Sequence, residues 1–254
     1  MDGSVIAAVF VLGAMIGSFL NVCIVRLPEE RSIVRPRSHC PSCGHEIAWY
    51  DNVPVLSYVL LRGCCRACGT RISPIYPAVE LLTGALAVAL WLRLGTTLAF
   101  AGYFAFAAAL VTITFIDLDH RIIPDVISLP GIAVGLAVSF VSPLVTPVGA
   151  LLGMLAGGGV LLAIAGAYQA IRGQEGMGGG DVKLLAMIGA FLGWQSVFVT
   201  LMVASLIGSV IGIGLMLYQR ADTKLAIPFG PFLAGGALVS LFFGDRILAF
   251  YFGA

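Results

Sequence analysis

Residues 98–125 read LAFAGYFAFAAALVTITFIDLDHRIIPD. The run 98–116 carries no charge. As a helix it would extend about 28 Å, close to the thickness of a hydrocarbon core. Asp117, Asp119, His120 and Arg121 then follow almost at once, and Pro124 stops the helix. Asp125 stands where it can cap the next one. An ionisable group abutting a bilayer-length run costs several kcal/mol if unpaired. The stretch therefore defines a membrane span and marks Asp117 as a functional candidate.

The remainder of the chain repeats this pattern. Of 254 residues, 59% are hydrophobic and 11% charged, against about 25% charged in a soluble domain. Eight apolar runs are expected to span, roughly 4–25, 74–93, 98–116, 126–142, 147–171, 182–194, 197–218 and 228–244. The sixth is short for a span. The runs are continuous rather than alternating, which argues against a β-barrel. The fold class is an all-α polytopic membrane protein of about eight transmembrane helices. The first run follows an acid, Asp2, and no cleavage site follows it, so it reads as a retained span.

Basic residues set the orientation. Twelve of the 14 bases fall in the connections 26–73, 117–125, 172–183 and 219–227; only Arg93 and Arg246 fall on the other side. The first group is expected to be cytoplasmic and both termini periplasmic. No long basic run suggests nucleic-acid binding. The chain divides into a first transmembrane helix (1–25), a cytoplasmic loop (26–73) and a seven-helix membrane domain (74–254).

The loop is too small for a large core of its own and needs a staple. It contains Cys40-x-x-Cys43 and Cys65-x-x-Cys68, each followed by glycine (Gly44, Gly69). Two such knuckles place four thiolates around one Zn²⁺. A reducing cytosol favours metal over disulfides. With all four positions filled by protein, the zinc would be structural. Cys64 can stand in for Cys65, although C-x-x-C spacing favours Cys65. His39 and His45 are weaker ligand candidates, and Cys23 reads as a small buried hydrophobe.

Three acids abut or enter apolar runs: Glu80, Asp117 and Asp181. Asp181 opens the sixth run after Gly178, Gly179 and Gly180. Asp117 and Asp181 lie at the cytoplasmic ends of their helices. If those helices are neighbours, the two carboxylates meet and share one proton. One can then activate water while the other protonates the carbonyl oxygen. The glycines would let backbone approach a substrate strand and adopt positive φ. Lys183 can tune Asp181 or snorkel to the cytoplasm. Glu80 can line the site or serve as a buried helix contact. Asp119 should be solvated. Glu29, Glu30, Glu46 and Asp51 can attract basic peptide, but arginines outnumber them.

Five motifs occur in order: GSFLNVCIVRLP (17–28), the two knuckles, PAVELLTG (77–84), IDLDHRIIPD (116–125) and GMGGGDVKLLAMIGAFLGW (176–194). Together they resemble the bacterial type IV prepilin peptidases, across nearly the whole chain. The resemblance implies an inner-membrane aspartic endopeptidase with Asp117 and Asp181 as its catalytic pair. It would cut the basic leader from prepilins or type II secretion pseudopilins at the cytoplasmic face, after a glycine. It would then methylate the new N-terminus with S-adenosylmethionine. The four-cysteine loop typical of bifunctional members maps onto Cys40, Cys43, Cys65 and Cys68; Cys64 departs from the pattern. No G-x-G-x-x-G follows a strand, so the methyl donor rests on the resemblance alone. Two other classes compete. A zinc-loop assembly factor would tolerate loss of the aspartates, and a proton-coupled transporter would carry flux without proteolysis.

Overall fold

A computed structural model describes residues 3–173, 178–219 and 227–252. Part of the glycine tract (174–177), with the bases Arg220 and Lys224, lies outside the described residues. These residues are almost entirely helical, with no named strand. The long helices are α1 (Gly3–Arg26), α3 (Ile75–Leu94), α4 (Leu98–His120), α5 (Asp125–Val138), α6 (Pro147–Arg172), α7 (Gly179–Leu192), α8 (Trp194–Gln219) and α9 (Gly230–Phe252). Between α1 and α3 lie a 3₁₀ turn, Trp49–Asn52, and the short helix α2, Leu56–Leu60.

Each expected span has its helix. Six of them, α1, α3, α4, α6, α8 and α9, are long and apolar enough to cross a membrane. The other two, α5 and α7, have 14 residues each, about 21 Å at 1.5 Å per residue. They fall short of the roughly 30 Å hydrocarbon layer.

The chain forms two compact units, residues 1–112 and 113–254. In the first, α1 packs on α3, and glycines bring the backbones close. A methyl on Gly13 would lie 2.6 Å from Ala87 Cβ, and one on Gly17 would lie 2.8 Å from Glu80 Cα. Asn21 Nδ2 donates to the Tyr76 carbonyl at 3.1 Å, tying the two helices at the end that carries the loop. Cys23 is buried on α1, as expected of a small hydrophobe. At the C-terminus of α1, Arg26 donates to the carbonyls of Ser32 (2.9 Å) and Pro36 (2.8 Å), which draws the loop back onto the helix end.

The second unit is built around α7. Residues 184–192 are buried without a break, packed by α5, α6, α8 and α9. Here too glycines set the spacing. A methyl on Gly153 or Gly157 of α6 would overlap the α7 carbonyls of Gly189 and Leu185. A methyl on Gly135 of α5 would lie 2.8 Å from Phe191. So α7 is apolar all round because protein surrounds it, which is the alternative to lipid for such a helix. Gly193, at φ +82°, ends α7, and α8 follows at once.

Candidate active site and metal centre

Asp117 occupies the last turn of α4 and is 5% exposed. Helix α4 ends beyond it because Arg121 adopts φ +56°, with its N–H donating to the Asp117 carbonyl at 3.0 Å. The break thus precedes Pro124, where the sequence placed it. The Asp117 carboxylate is held by a residue 113 positions away: Gly230 N–H donates to Oδ2 at 3.0 Å. Gly230 is the first residue of α9. Its N–H is one that a helix start leaves without an intrahelical acceptor, and the positive end of the helix dipole faces the acid.

Asp181 sits in the first turn of α7, after Gly178 at the N-cap. Ile123 lies against both Gly180, next to Asp181, and Gly230, which holds Asp117. A methyl on Gly180 would lie 2.9 Å from Ile123 Cβ, and one on Gly230 would lie 3.4 Å from Ile123 Cδ1 and 2.6 Å from Asp117 Oδ2. The carboxylates of Asp117 and Asp181 are within electrostatic range of each other. The structure therefore brings together the two aspartates that the sequence singled out, with Gly178, Gly179 and Gly180 beside them. Asp119 is exposed, as expected.

The glycines differ from expectation in one respect. Gly178 has φ −69°, Gly179 and Gly180 are helical, and none has positive φ. What Gly180 supplies is room for Ile123, not an unusual backbone conformation. Gly230 has the corresponding role against Asp117, and the sequence did not single it out. Its signal was a glycine directly before Pro231, at a helix start.

Lys183 forms an ion pair with both oxygens of Asp125, each at 2.7 Å. Asp125 is the first residue of α5 and makes no side-chain cap there; Pro124 is the N-cap. The pair joins the start of α5 to the first turn of α7, two residues from Asp181. Glu80 lies in the other unit. It is buried on α3 and accepts from Val55 N–H at 2.7 Å. It thus anchors a loop residue held at φ +60°.

The metal cluster has a simple geometry. The sulfurs of Cys40, Cys43, Cys65 and Cys68 all lie within 4.8 Å of one another, and the Cys40 and Cys68 sulfurs are 3.8 Å apart. Four sulfurs about 2.3 Å from a tetrahedral Zn²⁺ stand about 3.8 Å apart, so the cluster fits a divalent ion of that size. Its two halves match. Gly44 (φ +70°) donates to the Cys40 carbonyl and Gly69 (φ +71°) to the Cys65 carbonyl, each at 2.9 Å. Cys40 N–H donates to the His45 carbonyl, and Cys65 N–H to that of Thr70. Cys64 pairs with Arg71 in a β-bridge, and its sulfur bonds the Arg62 carbonyl at 3.6 Å. The sulfur in the cluster is that of Cys65. Neither His39 nor His45 joins it.

The thiols are electrostatically unequal. Hydrogen bonding with the Thr70 side chain and backbone draws Cys68 down to about 6. The backbone N–H groups of Cys43 and Ser42 lower Cys40. The His45 backbone pulls Cys43 down, but burial and the neighbouring cysteines outweigh it and push it up to about 11. Deprotonating one thiol makes the next harder, and a bound divalent cation removes that penalty. Asp51 is committed elsewhere: Arg66 donates to its oxygens at 2.8 and 2.6 Å and holds its carboxyl below the usual value.

Residues 11–94 match the Bacterial Peptidase A24 N-terminal domain, and residues 104–213 match the Type IV leader peptidase family. The chain is similar to the "Prepilin leader peptidase/N-methyltransferase" of Aeromonas hydrophila, 40% identical over 96% of this chain and 92% of that one. The protein of that name from Myxococcus xanthus is 44% identical over 82% of this chain and 62% of its own. The one from Burkholderia pseudomallei is 37% identical over 95% and 86%. No solved structure matches. With both halves matched in order and relatives this similar along most of its length, the chain belongs to the type IV leader peptidase family.

Proposed function

We propose that the chain is a membrane-embedded aspartic endopeptidase. It removes the basic leader of type IV prepilins or type II secretion pseudopilins at the cytoplasmic face of the inner membrane. The observation that carries this reading is the buried Asp117 carboxylate, fixed by Gly230 N–H and joined to the Asp181 region through Ile123.

In the proposed reaction the pair holds one proton. The ionised carboxylate takes a proton from water as its oxygen attacks the scissile carbonyl carbon. The protonated partner gives its proton to the carbonyl oxygen. As the tetrahedral adduct collapses, a proton passes to the leaving nitrogen and the C–N bond breaks. The Gly230 bond holds one oxygen of Asp117 and leaves the other to exchange the proton. A prepilin presents its cleavage site between a basic leader and an apolar helix, at the depth expected for the cytoplasmic ends of α4 and α7.

The four-cysteine cluster is proposed to bind structural Zn²⁺, which would fold a loop of little core. N-methylation with S-adenosylmethionine is proposed from the names of the relatives. The described residues contain no strand–glycine turn–helix cradle for a nucleotide, so no step is routed through that cofactor. The proposed topology has both termini periplasmic, with the loop 26–73 cytoplasmic between the first helix and the membrane domain 74–254. Its support is the placement of 12 of the 14 bases.

The test uses the full chain in vesicles with a prepilin, with and without S-adenosylmethionine, and mass spectrometry of the product N-terminus. Asp117→Asn and Asp181→Asn should each abolish cleavage while metal content is unchanged. Cleavage at the normal rate by either variant would sink the dyad. It would return the assembly-factor and transporter readings to contention.

A further inference from the structure

The loop presents an apolar face and a basic groove side by side, and neither has a part in cleavage or metal binding. On α2, Leu56, Val59 and Leu60 are 54, 63 and 71% exposed. Three large aliphatic side chains on a five-residue helix are an unusual surface for water. Beside them, a groove of about 630 Å³ is lined by Tyr58, Arg62, Cys64, Arg71 and Ser73.

Both arginines of the groove are exposed, and neither makes an ion pair or side-chain hydrogen bond among the described residues. Three other arginines of the loop are engaged, Arg26 on carbonyls, Arg66 on Asp51 and Arg31 on Glu29; Arg35 and Arg37 are also exposed but do not line the groove. The spacing of Arg62 and Arg71 is built in. Ile72 N–H donates to the Gly63 carbonyl at 2.7 Å, and Cys64 bridges Arg71. Arg62 is held at φ +53°, a conformation costing on the order of 1–3 kcal/mol for a residue other than glycine. The groove ends at Ser73 and Pro74, directly before α3, a candidate membrane span. Trp49 is also exposed in this loop, as is Tyr76 in the first turn of α3.

We infer that this part of the loop docks on the membrane surface: Leu56, Val59 and Leu60 enter the outer acyl layer, and Arg62 and Arg71 grip the phosphate of an anionic lipid headgroup. Charge complementarity selects the ligand, since two unpaired guanidinium groups match a phosphate. Continuity with α3 keeps the groove near the headgroup layer. Exposed aromatic residues are the type enriched at that depth. The inference rests on α3 spanning the membrane and not on the peptidase reading.

The full chain is placed in nanodiscs of phosphatidylcholine alone or with added phosphatidylglycerol. Amide hydrogen exchange of residues 56–64 is followed, together with native mass spectrometry of retained lipid. Phosphatidylglycerol should slow the exchange and be retained preferentially. Arg62→Gln with Arg71→Gln should weaken retention on the order of 30-fold, at roughly fivefold for each arginine near an anionic surface. Arg35→Gln with Arg37→Gln, the same charge change in the same loop, should leave retention unchanged. Bound metal reports that the loop is folded; where the double variant loses metal, Arg62→Gln alone carries the comparison with a fivefold loss. Equal exchange in the two lipids, or arginine variants indistinguishable from the parent, would overturn the inference. Inorganic phosphate protecting the segment equally in phosphatidylcholine would overturn it in favour of a free anion.

Discussion

Gly230→Ala tests the geometry of the site more sharply than removal of an aspartate, because the acid and its hydrogen-bond donor both remain. The added methyl would lie 2.6 Å from Asp117 Oδ2 and 3.2 Å from its Cγ. Ordinary contact is about 3.5 Å, so the two groups must part by about 0.9 Å. A misplacement of about 1 Å costs on the order of 100-fold in rate, and overpacking costs about 1–3 kcal/mol in stability. The expected result is kcat lower by about 30- to 100-fold in single-turnover cleavage of a prepilin, by a chain that remains folded and holds its metal. Gly179→Ala is the control: its methyl would meet nothing within 4 Å, and cleavage should stay within about twofold of the parent. Gly180→Ala would press on Ile123 at 2.9 Å and should fall between the two. A Gly230→Ala enzyme at full rate would refute the placement of Asp117 at the reacting centre.

Cys65→Ser should abolish zinc retention after purification while Cys64→Ser keeps it, read by metal analysis of the two proteins. Metal affinity should fall as pH drops, because protons compete for the thiolates: Cys43, pushed up to about 11, is protonated first, and Cys68, drawn down to about 6, adds a further loss below that pH; titration with a competing chelator at several pH values measures this, and pH-independent affinity would contradict it. Gly189→Ala should lower expression and melting temperature sharply, because its methyl would overlap the Gly153 carbonyl oxygen on α6. Lys183→Gln should cost only about 0.2–1 kcal/mol in unfolding experiments, since the pair with Asp125 is substantially exposed.

Much of this molecule was legible in its sequence, but through different signals of different reach. Apolar runs found every long helix because removal from water is a property of composition. The same signal marked α7 as short but did not show that α5, with the same 14 residues, is shorter than the other six. Hydropathy reports removal from water and does not distinguish lipid from protein, and α7 is enclosed by four other helices. The knuckles could be read because their ligands and turns are local. Cys65 rather than Cys64 followed from spacing and is the sulfur that joins the cluster. Asp117 and Asp181 stood out as acids against apolar runs, where charge is costly. Gly230 did not, since its part depends on a carboxylate 113 residues away. The Asp125–Lys183 pair spans 58 residues and was hidden for the same reason.

The two helix starts that face the acids bear on how such a pair can exist in apolar surroundings. Two carboxylates close together in a low-dielectric site cannot both ionise, and even one charge there needs compensation. No arginine or lysine is paired with Asp117 or Asp181 among the described residues. The compensation comes from backbone. Asp117 accepts from the first N–H of α9, and Asp181 lies in the first turn of α7. Each helix start presents about half a positive charge. Two of them favour one negative charge on the pair, and they fall well short of the two full charges that would ionise both acids. A lysine beside the pair, added to the two helix starts, would supply about the second charge, favour ionisation of both carboxylates and leave no proton for the carbonyl oxygen. Lys183, the base nearest in sequence to Asp181, is instead turned to Asp125. On the proposed mechanism that pairing matters more for keeping an ammonium away from the dyad than for the small stability it adds.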